Sequence, residues 1–418
     1  MPRTAAEKII GSHSGRPVVA GDLVRADVDV IMATDGNAPL AIELLRRELG
    51  AEDSSIDGSR IILVIDHCAP APNLGAANMQ ALMREFGRAC NGRLYDAGMG
   101  ISHVVLPEKG DVRPGMFVVG SDSHTVTYGA VNCLGTGMGS TDIAVSMFTG
   151  RTWLRVPETI RVNLTRALPP KVSAKDAVLE LVRRIGVDGA TYACLEFGGD
   201  GLASLSMDER FTLANMSIEM GAKCTLMPAD EVCQAWLRER VTEPIEPVVS
   251  DPSCDYAGVV ELDLHNVEPM IAAPHDLTEI GPLTQAVGTP IDIAFIGTCT
   301  NGRISDLRRA AAALEGQRVA PGVQLIITPG SRDVLTLALE EGLIETFVAA
   351  GALVTTPGCG PCVGTHQGIP ADGHTVITTA NRNFRGRMGN RDASIYVASP
   401  ETVARSAVCG SVSVAAQA

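Results

Sequence analysis

The sequence predicts an α/β fold with mostly parallel sheets, and three observations predict it. Short β-branched runs recur along the chain, and most are apolar throughout. Runs of this kind suit strands buried on both faces, as in parallel sheets lying under helices. Each run ends in a glycine-rich or polar turn, and several turns lead into a helical pattern. Glycine is also abundant, 43 of 418 residues, so tight backbone turns are expected to be many.

In chain order, a helical stretch covers 38–49, and the run 61–65 enters Asp66-His67. The run 116–119 enters Gly120-Ser121-Asp122-Ser123-His124-Thr125. Residues 212–221 carry a helical pattern that stops near Gly221. The run 291–296 leads to Gly297-Thr298-Cys299-Thr300-Asn301-Gly302-Arg303, followed by a helix over 305–315. The runs 323–327, 352–355 and 375–378 end in Gly330-Ser331, Cys359-Gly360-Pro361-Cys362 and Asn381-Arg382-Asn383-Phe384-Arg385-Gly386-Arg387. Proline-containing stretches at Leu168-Pro169-Pro170 and between Pro282 and Pro290 mark the expected boundaries of three α/β domains, 1–166, 167–285 and 286–418. Nearly every reactive-looking residue falls just past the C-terminal end of an expected strand. That edge is where open α/β sheets bind ligands, so one composite site is expected.

Composition narrows the function classes. With 34 basic and 48 acidic residues, the net charge of −14 disfavours nucleic acid and anionic membranes as partners, but permits a small anionic substrate in a local basic pocket. The longest stretch free of charged residues, 346–371, contains Pro357, Pro361 and Pro370 and is not a spanning helix. The N-terminus shows no secretory apolar region. Eleven scattered cysteines, an odd number, do not form a disulfide framework, so a reducing cytoplasm is expected.

Cys359-Gly360-Pro361-Cys362 matches the thioredoxin-type redox sequence, but a redox pair needs its first cysteine at a helix N-terminus. The following Val363-Gly364-Thr365-His366 argues against a helix. A metal reading is stronger, because C-x-x-C lets one turn present two thiolates to one centre. Zinc wants a fourth ligand, and no second C-x-x-C exists. Three thiolates, Cys299, Cys359 and Cys362, suit an iron–sulfur cluster with one iron left open. Three ordinary buried cysteines remain the plain alternative.

The polar residues follow the same logic. Asp66-His67, His103 and Asp122-Ser123-His124 put three of eight histidines at expected loops or sheet edges, each beside an Asp or Ser. That grouping suits proton transfer. Asn215 and Glu219, four residues apart, share one helical face, which could equally be a solvated one. Asn381, Arg382 and Arg387 share a strand-end loop, where a guanidinium fork suits a carboxylate. Gly135-Thr136-Gly137-Met138-Gly139 lacks the phosphate-loop lysine and reads as close backbone packing.

Taken together and in order, four segments resemble the aconitase superfamily, and within it the isopropylmalate-dehydratase large-subunit branch. They are Gly-Ser-Asp-Ser-His-Thr at 120–125, Asn-Met-Ser-Ile-Glu at 215–219, Gly-Thr-Cys-Thr-Asn-Gly-Arg at 297–303 and Pro-Gly-Cys-Gly-Pro-Cys at 357–362. The resemblance spans essentially the whole chain. It implies three α/β domains around a central iron–sulfur cleft, with a [4Fe–4S] cluster held by Cys299, Cys359 and Cys362. Asp66 and His67 would protonate a leaving hydroxyl. His103, Asp122, Ser123 and His124, with Glu219, would order water and move protons. Thr34, Asn215, Asn381, Arg382 and Arg387 would lie on the substrate side. Thr34 stands where relatives commonly show an amide or histidine, which opens the identity of the substrate.

The implied reaction is dehydration and rehydration of a 2-alkylmalate, foremost 2-isopropylmalate to 3-isopropylmalate in leucine biosynthesis. Homoaconitase and 2,3-dimethylmalate-type substrates are the sister readings. The swivel domain that carries a Ser-Ser-Arg segment in single-chain relatives has no counterpart here. A separate small subunit is therefore expected to bring the base, in a heterodimer or heterotetramer. A thiol–disulfide oxidoreductase on Cys359 and Cys362 and a non-catalytic cluster or zinc scaffold are the rivals from other classes.

Overall fold

The computed structural model describes residues 2–414. Met1 and residues 415–418, at the outer ends of the first and third expected domains, lie outside the described residues. Three larger sheets organise the chain. The first has five parallel strands in the order Arg93–Tyr95, Ile61–Val64, Val30–Thr34, Phe117–Gly120, Leu134–Gly137. The second has four parallel strands, Cys224–Leu226, Cys194–Gly198, Thr159–Thr165 and Gly258–Asp263. In the third, Ser394–Ala398, Thr375–Thr378, Ile293–Ile296, Gln324–Ile327 and Leu353–Val354 run parallel. Met270–Ala272 and Ile280–Pro282 add an antiparallel edge to it. A two-stranded ribbon, Leu23–Asp27 with Arg151–Arg155, flanks the first sheet.

The apolar runs behave as their composition requires. Ile61–Val64, Phe117–Gly120 and Ile293–Ile296 are buried at every residue, as strands covered on both faces must be. The sheets do not follow the expected boundaries. Thr159–Thr165 opens the second sheet before the proline pair, and Met270–Pro282 already belongs to the third. Pro169 and Pro170 mark a loop between a strand and the helix Ala174–Ile185 of that same second sheet. A proline pair halts local hydrogen bonding wherever a loop lies, inside a sheet's own connections as readily as between sheets.

Both doubly wound sheets reverse strand order at one point, and a crevice opens there beyond the strand ends. In the first sheet it lies between Val30–Thr34 and Phe117–Gly120; in the third it lies between Ile293–Ile296 and Thr375–Thr378. Loops from the two regions meet directly. Gly100 bridges Ser331, Ile101 N donates to Gly330 O at 2.8 Å, and Arg332 N donates to Met99 O at 2.9 Å. Gly100 has φ 126, and a Cβ there would meet Gly330 O at 2.5 Å. In the edge strand, a Cβ on Gly135 would meet Thr125 O at 2.2 Å, the close backbone packing read from the sequence.

Gly100→Ala is therefore expected to destabilise the chain by roughly 3 kcal/mol or more, combining overpacking with a left-handed backbone. Gly15→Ala, with φ 71 and nothing within 4 Å, has only the backbone penalty of about 1–2 kcal/mol. Urea denaturation of both variants checks the difference; equal losses would show that the Gly100 contact is not a tight one.

Candidate functional site

Cys299 sits in the turn Thr298–Asn301, directly after strand Ile293–Ile296. Cys359 and Cys362 lie beyond strand Leu353–Val354, on the turn Gly360–Val363 and the residue before it. All three thiols are buried in one apolar cluster with Ile101, Val104, Phe295 and Met388, and none is in a disulfide. The turn stops at Gly364 in a left-handed conformation, so no α-helix follows the C-x-x-C pair. The helix N-terminus that activates a redox cysteine is missing there.

Two nitrogen donors reach these sulfurs. Asn381 Nδ2 lies 3.5 Å from Cys299 Sγ, and Arg387 Nη2 lies 3.2 Å from Cys362 Sγ. Arg387 also holds Asn381 Oδ1 at 3.2 Å, while its own Nε is buried without a partner. Burial, with the Cys362 thiol beside it, pushes Cys299 up to about 12. Burial, with Asp66 and the other two thiols, pushes Cys359 up as well. Three soft thiols with N–H donors aimed at sulfur fit a thiolate-bound cluster, and loading one must release their protons. The donor atoms of Asp66, His67 and Cys359 also lie within 4.8 Å of one another.

Opposite the thiols, the strand ends of the first sheet build a charged chain. His67 Nδ1 meets Asp66 Oδ1 at 2.6 Å and Asp35 Oδ1 at 3.5 Å, and His67 Nε2 faces Asp122 Oδ2 at 3.7 Å. Burial opposes a charge on His67, but Asp66, Asp35 and Asp122 outweigh it and hold the imidazole well above its ordinary value. Asp122 Oδ1 takes His103 Nε2 at 2.9 Å and the His124 amide at 2.7 Å. Burial opposes its ionisation too, yet His103 and His124 keep it well below the usual carboxylate range. His124 Nε2 continues to Glu219 Oε1 at 3.0 Å, and Arg382 joins Glu219 Oε2 at 2.8 Å and Ser123 Oγ at 3.3 Å. Glu219 is buried, but His124 and Arg382 keep it ionised.

A second, uncharged chain links this network to the thiols. Thr127 Oγ1 accepts from Asn215 Nδ2 at 2.9 Å, Asn215 Oδ1 accepts from the Thr300 hydroxyl at 2.6 Å, and Asn381 Nδ2 lies 3.4 Å from that hydroxyl. The backbone also ties the halves, because Cys359 N donates to Asp66 O at 2.8 Å.

The structure thus brings together the residues singled out from the sequence, with some differences in setting. Asn215 and Glu219 are buried, not a solvated face; the helix Met207–Met216 tightens into the 3₁₀ turn Ser217–Met220 between them. His103 and His124 lie on helical turns rather than loops. Asp122 caps one turn through the His124 amide, and Asp66 Oδ2 accepts from Ser102 N at 2.8 Å at the start of the other. Thr34 ends its strand with its hydroxyl buried and unpartnered.

Asp35 escaped the sequence reading. Its buried carboxylate accepts the amides of Asp66, His67 and Cys68 at 3.3, 2.9 and 2.9 Å, fixing the loop that carries Asp66 and His67. Burial works against its ionisation, but His67 and these amides hold its pKa below the ordinary value. Its place just past strand Val30–Thr34 is the same signal that marked Asp66 and Asp122.

Comparison with known proteins gives one concordant result. The profile of the Aconitase family (aconitate hydratase) matches residues 68–410. The chain is 46% identical to the 3-isopropylmalate dehydratase large subunit of Elusimicrobium minutum, covering 99% of this chain and 98% of that one. It is 47% identical to the homoaconitase large subunit of Thermus thermophilus, covering 98% and 96%. Among solved structures, Thermococcus kodakaraensis aconitase X in its holo-form shares the fold, with a TM-score of 0.52 at 14% identity over 96% of this chain and 95% of that one.

Asp35→Ala strands buried amides, each worth about 1–3 kcal/mol when left unsatisfied. Urea unfolding is expected to show a loss in that range or above. A change within about 0.5 kcal/mol, typical of an uninvolved surface site, would mean that water replaces the carboxylate.

Proposed function

The chain belongs to the aconitase family, and from that premise we propose that it is the large subunit of a hydro-lyase isomerising 2-isopropylmalate to 3-isopropylmalate in leucine biosynthesis. The observation carrying this reading is the convergence of three buried thiols with the Asp66–His67 pair at facing sheet edges. Iron–sulfur chemistry goes with the family. In our reading Cys299, Cys359 and Cys362 hold a [4Fe–4S] cluster. When bound, it would supply Lewis-acid polarisation of the substrate's departing hydroxyl.

The chain's own residues supply the rest. His67, held protonated by Asp66, Asp35 and Asp122, delivers a proton from Nε2 to the departing hydroxyl. Asp66 fixes the ring through Nδ1, so the donor nitrogen is defined. Asp122 sets His103 and His124 around the place where the released water must wait to return. Glu219 orients His124 and, through Arg382, the entry side of the site. Asn381 and Arg387 position the sulfurs and present N–H donors toward a substrate carboxylate. Thr34, whose hydroxyl has no protein partner, contributes a hydrogen bond to substrate.

A small subunit bearing the swivel domain supplies the base and the selectivity for the alkyl group, in a heterodimer or heterotetramer. The name "large subunit" carried by the relatives supports this partner. Eleven free cysteines favour a reducing, cytoplasmic setting. Among the described residues, no helix is long and apolar enough to cross a membrane. A second reading, a homoaconitase large subunit, is favoured by the 47% identity to the Thermus thermophilus protein.

Anaerobic reconstitution with iron and sulfide, followed by assay with the co-purified small subunit, tests the proposal. Hydration of 2-isopropylmaleate in preference to homoaconitate is expected; the reverse preference selects the second reading, and activity on neither rejects both. Cys299→Ser is expected to abolish the brown chromophore. His67→Asn should keep it while lowering kcat by about 10²–10⁴-fold. Because the raised pKa of His67 keeps it protonated above its ordinary 6.5, activity should fall only as pH rises beyond that value. Asp66→Asn, which removes a carboxylate that supports the charge, should move this alkaline limb to lower pH; an unmoved limb would exclude His67 as the acid.

A further inference from the structure

Lys175 is the second residue of the helix Ala174–Ile185 and is fully buried. Its Nζ donates to Thr379 O at 2.8 Å and Ala380 O at 2.7 Å. Those carbonyls follow strand Thr375–Thr378 and immediately precede Asn381, whose amide lies on Cys299. The lysine therefore reaches from the second sheet's helix to the crevice of the third.

No carboxylate is hydrogen-bonded to this ammonium, and Asp306 and Asp176 favour its charge only from a distance. Carbonyl oxygens satisfy its hydrogen bonds but not its charge, and burying an unpaired ion is expensive. A helix N-terminus adds positive partial charge of its own. Among the described residues, no carboxylate lies within salt-bridge distance of Nζ. The nearby carboxylates are committed elsewhere: Asp176 to Ser173 and the Met270 amide, Asp306 to Asn301 and the Arg303 amide. Burial also drives both toward the neutral form, Asp306 to about 7. Beyond those two carboxylates, the groups that would favour the ammonium once ionised are the Cys299 and Cys362 thiols. Burial pulls the lysine itself down to about 7, as expected of a cation whose counter-charge is not yet in place.

We propose that Lys175 is a positioning residue and buried counter-charge for the thiolate-held cluster, clamping the Thr379–Asn381 turn while offsetting the negative charge gathered on Cys299, Cys359 and Cys362. This rests on the cluster reading above. A fixed positive charge beside such a centre stabilises its more negative, reduced form. Removing it makes the cluster harder to reduce and easier to lose.

The test uses the full chain reconstituted anaerobically as wild type, Lys175→Arg, Lys175→Gln and Lys175→Met, with no activity measurement. Midpoint potential is read by redox titration followed by electron paramagnetic resonance, and cluster loss by visible absorbance during chelator challenge. Lys175→Arg should keep the wild-type potential. Lys175→Gln, which retains N–H donors without charge, and Lys175→Met should both shift to a more negative potential and lose the chromophore roughly tenfold faster, as expected when a buried charge loses its partner. An unchanged potential in the two neutral variants would overturn the counter-charge. Should both neutral variants fail to fold as apo chains, Lys175→Arg decides: a potential or a rate of cluster loss unlike the wild type in that variant would overturn the counter-charge. A wild-type chain that binds no cluster defeats the parent reading instead, so the two failures are distinguishable.

Discussion

One carboxylate, Asp122, holds the histidine-bearing edge of the first sheet together. It takes His103 through Nε2, caps the following turn through the His124 amide and faces His67 Nε2 across 3.7 Å. Three imidazoles gather around this one half-buried carboxylate, and His103 and His124 keep it well below the usual carboxylate range. The arrangement therefore orients the rings and adds to Asp66 and Asp35 in holding His67 protonated. Glu219 and Arg382 extend the same alternation of sign outward to the mouth.

The fold makes this concentration of charge possible. Two sheets, each reversing strand order at one crevice, are joined through the Gly100–Ser331 bridge and the Cys359–Asp66 backbone bond. One crevice contributes carboxylates and imidazoles, the other thiols with N–H donors, and neither set alone does hydro-lyase chemistry. The uncharged chain through Thr127, Asn215, Thr300 and Asn381 keeps the two in register without adding charge. Phe295, Ile326, Val376 and Met388 pack with the three thiols in one apolar cluster.

Much of the site was legible because parallel strands announce themselves as apolar runs, and ligand groups collect at their C-terminal ends. Cys299, Cys359, Asp66, Asp122 and Asn381 all follow that rule, and Asp35 obeys it as well. Asp35 went unread because Thr34-Asp35-Gly36 also looks like an ordinary turn. Glu219 was ambiguous, since four-residue spacing specifies a shared face but not whether that face is buried. Lys175 was illegible in principle: a lysine opening an amphipathic helix looks solvated, and only the packing of that helix against the Thr379 turn buries it. The expected domain boundaries and the sheet limits differ because prolines mark loops, and strand Thr159–Thr165 joins its sheet before the loop begins.

The central claim is that the thiol crevice presents one open metal position to the acid pair on the facing edge. Mössbauer spectroscopy of the reconstituted chain, in complex with its small subunit and with or without 2-isopropylmalate, tests it most directly. The expected result is a substrate-induced change confined to one iron of the cluster, with the thiolate-bound irons unaffected. A spectrum in which every iron responds alike, or in which a single isolated iron sits on Asp66, His67 and Cys359, would contradict it.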